Sequence, residues 1–307
     1  MGNSFWLSWE PGVITFLQSR VTPFWQKFLE AVTFLGDEYA MVLLIGFLYW
    51  GYKKDLGKRI GTYFIMALMT TVSLGNIVMR RRPYFDHSEI RCLKPRSSKG
   101  DPYDISIQGF SFPSGHSANS ASTFAALGCS TGKKVLKAVL FLIPLLIGLS
   151  RLVLGVHYPT DVLAGWAISA LAILVISCIK NQYIVYLLIA LIGIVGCFFS
   201  KSADFFSSLG IALGCIAGFL FEEKFVRFEN TKKVSGMILR TLGGLALFIL
   251  VDKLLEVPFS KEFLSSASGL SFLVRAIRYT AACFAVIGVY PMLFRMVGRK
   301  PSRSTDS

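Results

Sequence analysis

Charge is scarce in this chain, and negative charge most of all: 18 Asp and Glu stand against 32 Lys and Arg, and the four types make up 16% of 307 residues. A chain so poor in charge, 53% hydrophobic and with a mean hydropathy of +0.58, is not composed like a soluble globular domain. Cysteine is sparse too. Five of the six (Cys129, Cys178, Cys197, Cys215, Cys283) fall inside apolar runs and Cys92 has no evident partner, so neither a disulfide framework nor a metal-ligand spacing is present. The first 30 residues lack the basic start and small-residue cleavage site of a signal peptide, so no cleavage is expected. Low-complexity segments and strong internal repeats are absent as well.

What is present is a series of apolar segments of about membrane-spanning length. They fall near 32–51, 60–79, 115–131, 135–153, 161–179, 182–199, 206–222, 236–255 and 274–296, about nine in all. Ahead of them, Trp9, Phe16, Phe24, Trp25 and Phe28 are spaced among polar residues, as in an amphipathic helix lying at a bilayer surface. An all-α polytopic membrane helical bundle is the expected fold. The net charge of +14 raises nucleic acid as a partner, but the basic residues sit in short loops between apolar runs, where membrane topology accounts for them and no nucleic-acid partner is expected. Alternating the loops between two faces gathers Lys53, Lys54, Lys58, Arg59, Lys133, Lys134, Lys137, Lys180 and the basic C-terminal tail on one side. The positive-inside bias makes that side cytoplasmic. The loop 80–112 and the turn at His157 then share the opposite face, where Arg80, Arg81, Arg82, Arg91, Lys94, Arg96 and Lys99 break the bias. Cations in excess on that side call for an anionic ligand.

Three polar islands on that face carry candidate chemistry. In "RRRPYF", three guanidinium groups precede a helix-stopping proline. Arg pairs bidentately with phosphate oxygens, although such a cluster also meets lipid headgroups without specificity. In "PSGH", Pro113 to His116, Ser114 suits a helix N-cap and Gly115 lets backbone approach a ligand; a plainly capped helix with a surface histidine would read the same. In "SRLVLGVHYPTD", Asp161 follows His157 by four residues, so its carboxylate can accept a hydrogen bond from one ring nitrogen and sharpen the other as a nucleophile. A metal pair competes with this reading, but no further Cys or Glu accompanies it.

Together the islands resemble the three-part signature of the type 2 phosphatidic acid phosphatase superfamily: Arg82-Pro83, then Pro113 to His116, then Ser150-Arg151 with His157 and Asp161. The resemblance covers about residues 30 to 180. It implies a six-helix phosphatase core, placed over 31–180; the aromatic pattern puts an interfacial helix over 1–30 before it, and the remaining apolar runs put about three further transmembrane helices over 181–307. It also implies roles: His157 as the nucleophile forming a phosphohistidine, His116 as acid and then base, Asp161 orienting His157, and Arg82, Ser114, Gly115 and Arg151 binding phosphate. No cofactor and no metal are implied.

One position departs from the family pattern. The first part usually opens with a lysine seven residues before its Arg-Pro arginine, and Gly75 stands there, with Arg80 and Arg81 as candidate compensating cations. The expected activity is hydrolysis of a lipid phosphomonoester or lipid pyrophosphate whose tail stays in the bilayer, at an extracytoplasmic or lumenal face of a multi-pass membrane protein. A bacterial cell membrane is favoured over an endoplasmic reticulum. The alternative is a transporter or lipid-binding protein with a vestigial phosphatase fold. His87 is expected to have a surface role, and Glu222, Glu223, Asp252 and Glu256 to be solvated interfacial charges.

Overall fold

The computed structural model describes residues 2–97 and 100–294. Among the described residues there are eleven main helices: α1 (Glu10–Arg20), α2 (Pro23–Phe34), α3 (Glu38–Tyr52), α4 (Lys54–Val78), α5 (residues 115–130), α6 (Lys134–Val153), α7 (Pro159–Cys178), α8 (Gln182–Phe199), α9 (Ala203–Val226), α10 (Val234–Glu256) and α11 (Gly269–Phe294). Short helical turns occur at Pro83–Asp86, Ile105–Gln108 and Lys261–Ser265. Among the described residues the nearest thing to a sheet is one isolated bridge, Asn3 to Arg80. Local signals set the helix starts. Pro23 and Pro159 open α2 and α7 at positions where a missing N–H costs nothing, and Asn181 caps α8 by accepting from the Tyr183 amide.

Among the described residues seven helices, α4 and α6 to α11, are long and apolar enough to cross a membrane, and an eighth span results if α2 and α3 are counted as one segment bent by 49°. The difference from the nine apolar runs has two causes. The run at 32–51 contains the break between α2 and α3. The run at 115–131 forms a helix of only sixteen residues whose Ser117, Asn119, Ser120, Ser122 and Thr123 are buried, so it is an inner strut.

The chain divides into two compact units, residues 1–44 with 59–205, and residues 45–58 with 206–307. In the first, α5 and α7 come into backbone contact. A Cβ at Gly165 would meet the Ser114 carbonyl at 2.6 Å and the Ala118 nitrogen at 3.0 Å, and Ser169 Oγ donates to the Ala118 carbonyl at 2.7 Å. That approach brings the start of α5 beside the start of α7. Over these two starts lies an apolar cluster of Ile14, Tyr84, Ile90, Leu154, Val156 and Tyr158, joining α1 to the connections.

α1 departs from a simple surface helix. Its outward aromatics, among them Trp9 and Phe16, are exposed, but the stripe at Glu10, Ile14 and Gln18 is buried and mostly polar. Gln18 Nε2 donates to the Arg91 and Val153 carbonyls at 2.7 and 3.0 Å, and its Oε1 accepts from the Arg91 amide at 3.0 Å. The helix is therefore bolted to the protein through polar contacts, and its aromatic face is left exposed.

In the second unit, Gly210, Gly214 and Gly218 on α9 let α11 pack at backbone distance, as small residues do between membrane helices. Two of the acidic groups expected to be solvated are paired inside this unit instead. Glu222 is buried, accepting from Lys54 Nζ at 3.1 Å and the Phe228 amide at 2.9 Å, and Asp252 accepts from Arg278 at 2.8 Å. Glu223 pairs with Lys58, and Glu256 pairs with Lys253 at 2.7 Å. Charges this close to an apolar environment persist by pairing, and the partners of Glu222, Glu223 and Asp252, unlike that of Glu256, lie too far away in sequence to be read from local pattern.

Candidate active site

α6 ends at Val153, and the chain reverses through Gly155, whose φ of +74° suits glycine. A side chain there would also strike the Arg91 carbonyl and Gln18. The reversal delivers His157 and Tyr158, both buried, directly into the first turn of α7. His157 Nδ1 lies 2.7 Å from the main-chain carbonyl of Ser111. A carbonyl only accepts, so Nδ1 carries the proton and Nε2 presents its lone pair.

This differs from the expected arrangement. Asp161 Oδ2 is 3.6 Å from His157 Nδ1, beyond a good hydrogen bond. The carboxylate instead accepts from the Ser111 hydroxyl and from the Tyr158 amide at 2.7 Å, and pairs with Arg80 Nη1 at 2.7 Å. Asp161 thus fixes the residue that fixes the histidine, while its charge still acts on the ring from close by.

Burial dominates the protonation of His157, with Arg82 and Arg151 adding to it and Asp161 opposing, and the net effect pushes its pKa down to about 4. The imidazole is therefore neutral throughout the physiological range. Unfolded histidine titrates near 6.5, so between pH 6.5 and 4 the unfolded chain binds the extra proton. Stability is then expected to fall as pH drops through that window, by up to about 3 kcal/mol from this group. Melting the detergent-solubilised protein at pH 7 and pH 4.5 checks this: His157→Asn should flatten the wild-type decline.

Two buried guanidinium groups flank the histidine. Arg82 donates from Nε to the Gln108 carbonyl at 3.0 Å and from Nη1 to the Val156 carbonyl at 3.1 Å, and burial lowers its pKa only to about 10, leaving it cationic. Arg151 donates to Thr33 Oγ1 at 3.0 Å, and its Nε is buried with no partner. Neither forms an ion pair among the described residues. An unpartnered buried donor on a cation is costly unless an anion completes it.

Ser114 caps α5 by accepting from the Ser117 amide and hydroxyl, and its own amide donates to the Asp161 carbonyl at 3.0 Å. Beside Gly115 a Cβ would find nothing within 4 Å, so the first turn of α5 faces open space. His116, half-buried, follows at once. The structure thus brings Arg82, Ser114, Gly115, His116, Arg151, His157 and Asp161 to one locality.

Arg80 and Arg81 are not available as free compensating cations. Arg80 is fully enclosed between Asp161 and Glu10, the latter at 2.6 Å, and its guanidinium lies 3.9 Å from the Tyr158 ring centroid. Arg81 pairs with Asp86 at 3.1 Å. At Gly75 a Cβ would come within 3.3 Å of the Phe112 carbonyl, so the segment before Pro113 lies close over this position. Glu10 also accepts from the Thr160 amide at 3.0 Å and hydroxyl at 2.6 Å, which ties α1 to the first turn of α7. His87 stands 3.4 Å from Glu89, edge-on to Trp6 at 4.5 Å and edge-on to Tyr158 at 6.1 Å. Among the described residues no group of three or more His, Cys, Asp or Glu could hold a metal.

Glu10, Ser111 and Thr33 escaped the motif reading. Ser111 opens "SFPSGH" and is near enough in sequence to have been suspected; nothing in sequence joins Glu10 to Arg80 or Thr33 to Arg151.

Comparison with known families gives two matches: residues 57–185 match the PAP2 superfamily, and residues 206–302 match the PAP2 superfamily phosphatase transmembrane extension. Together they cover well over half of the chain. The chain belongs to the PAP2 superfamily. All seven positions brought together here, from Arg82 to Asp161, fall within its first match. Among curated PAP2-like relatives, phosphatidylglycerophosphatase B of Bacillus subtilis is 39% identical over 71 residues, 20% of this chain and 35% of that protein. The chain therefore spans only about a third of that relative's length. Lipid A 4'-phosphatase of Bacteroides thetaiotaomicron is 26% identical over 163 residues, 50% of this chain and 68% of that one. Of solved structures, LpxE of Aquifex aeolicus aligns with a TM-score of 0.47 and 25% identity, covering 55% of this chain and 94% of that one.

Proposed function

We propose that this protein is an integral membrane phosphatase that hydrolyses a lipid phosphomonoester or lipid diphosphate through a phosphohistidine, without a metal. One observation carries the reading: a buried neutral histidine, Nδ1 occupied by the Ser111 carbonyl, beside two guanidinium groups that form no ion pair among the described residues. The names of the relatives, a phosphatidylglycerophosphatase and a lipid A phosphatase, support a lipid substrate.

In this mechanism His157 Nε2 attacks phosphorus, and the bond from phosphorus to the lipid oxygen breaks with its electron pair leaving on that oxygen. His116 donates the proton that neutralises the departing alkoxide. Water then attacks the phosphohistidine as His116 takes its proton, and the P–N pair returns to Nε2. Arg82, Arg151, the Ser114 hydroxyl and the Gly115 N–H meet the equatorial oxygens, and the guanidinium groups supply the charge a metal supplies elsewhere. Asp161 acts through Ser111 and Arg80. The catalytic domain is proposed as residues 31–180, with 181–307 as additional membrane helices, and the distribution of Lys and Arg supports an extracytoplasmic or lumenal site.

The test is phosphate release by purified protein from a panel of phosphatidate, lysophosphatidate, phosphatidylglycerophosphate and a polyprenyl diphosphate. Turnover of at least one, inhibited by vanadate and indifferent to chelator, is expected. Absence of release from every member would favour the transporter or lipid-binding alternative.

A further inference from the structure

The charges around His157 and His116 do not balance. Two other buried cations of this protein are met by carboxylates: Arg80 by Glu10 and Asp161, and Arg278 by Asp252. Arg82 and Arg151 have only neutral acceptors, and a third cation shares that condition. Lys94, half-buried, donates from Nζ to the main-chain carbonyl of Glu30 at 3.0 Å and forms no ion pair among the described residues. The Glu30 carboxylate itself is turned away, accepting from Gln26 at 2.9 Å.

The end of α2 explains where Lys94 is. Glu30 and Thr33 are three residues apart, so they neighbour each other on one face of the helix. Glu30 holds Lys94 and Thr33 holds Arg151. Three residues further on, a Cβ at Gly36 would come 3.2 Å from His116 Cβ. Lys94, Arg151 and His116 are thus ranged along one wall. The backbone before Lys94 is pinned to the same turn as His157: the Leu93 amide donates to the Leu154 carbonyl at 3.1 Å, and Cys92 and Leu93 pack on the cluster containing Leu154 and Val156. Burial lowers the His116 pKa, and Arg151, His157, Arg82 and Lys94 add to that in decreasing measure. A carbonyl is a weak anchor for an ammonium group, and the four-carbon stem is free to exchange it for a better acceptor.

We propose that Lys94 is a third phosphate-binding cation of this site, leaving the Glu30 carbonyl to contact a non-bridging oxygen of the substrate. This rests on the phosphatase reading of the His157 site, and it fills the cation deficit at Gly75 by a residue from a different part of the chain.

The experiment compares wild type, Lys94→Met and Lys94→Arg as purified full-length protein, measuring kcat/KM on a short-chain lysophosphatidate, vanadate affinity by thermal shift, and the melting temperature without ligand. Lys94→Met is expected to lower kcat/KM about 100-fold, the scale of removing one donor to a developing charge. Its vanadate affinity should weaken at least tenfold, its ligand-free melting temperature should stay near that of wild type, and Lys94→Arg should recover most of both losses. Unchanged kcat/KM and vanadate affinity in Lys94→Met would overturn the proposal. So would a loss of turnover with unaltered vanadate affinity, which marks a structural role. If wild type binds vanadate yet releases no phosphate from any substrate, the phosphatase reading fails while the vanadate comparison still decides Lys94. If wild type does neither, both fall.

Discussion

His157→Ala is expected to reduce phosphate release by at least about 10⁴-fold, the scale seen when a covalent catalyst loses its nucleophile, with the protein still folded and inserted. The Ser111 carbonyl would lose its donor at 2.7 Å, and a water can enter the space left by the ring and satisfy it. The remaining guanidinium groups would still bind phosphate, so vanadate should continue to stabilise the variant, although more weakly. A rapid-quench experiment with labelled substrate gives the complementary readout: wild type should accumulate an acid-labile phosphoenzyme and His157→Ala none. Full turnover in the variant would show that the nucleophile is another group or a directly activated water.

Asp161→Asn is the second large effect, and it divides between stability and rate. The carboxylate serves three donors at once: the Ser111 hydroxyl, the Tyr158 amide and Arg80. An amide has one acceptor oxygen and presents N–H groups on its other side, so at least one of those donors faces another donor. Removing one member of a buried charge network costs about 3–5 kcal/mol, and here Arg80 would keep Glu10 as its one carboxylate partner, beside the Phe5 carbonyl and the Thr160 hydroxyl. Rate should fall as well, by about 10² to 10³-fold, because Ser111 is what holds the Nδ1 proton of His157 in place. Glu10→Gln separates the two contributions. It weakens the same Arg80 network at its far end and should lose comparable stability, yet it leaves the Asp161 contacts to Ser111 and Tyr158 standing and should cost much less in kcat. Melting temperature and kcat measured on the two variants check this. Equal rate losses would mean that Asp161 acts through global stability alone.

The long helices were legible because twenty apolar residues in succession leave few other solutions for a backbone that must satisfy itself in lipid. The bend at 35–37 was not, since averaging hydropathy over a span hides three residues, and neither was the inward-facing role of α5, whose serines and threonines look like ordinary dilution of an apolar run. At the site, the spacing of Ser114, His116, Arg151, His157 and Asp161 was visible because two short stretches carry them all. The geometry joining them was less so. The hydrogen-bond partner of His157 is a backbone carbonyl, which every residue possesses, so no side chain at 111 advertises it. Arg80 looked like a spare cation beside Arg82, and only the fold shows that its charge is committed across 70 residues to Glu10 and across 81 to Asp161. The pairing of Glu222 with Lys54 was hidden for the same reason, 168 residues of separation.

The buried stripe of α1 has a consequence for what counts as a complete catalytic piece. The superfamily match begins at residue 57, after α1, α2 and α3. A chain trimmed to that start would still contain every motif residue, but Arg80 would be left with one carboxylate instead of two, Thr160 without its acceptor, and Arg151 without Thr33. The electrostatic boundary of the site therefore lies at Glu10, some fifty residues ahead of the boundary drawn by sequence likeness.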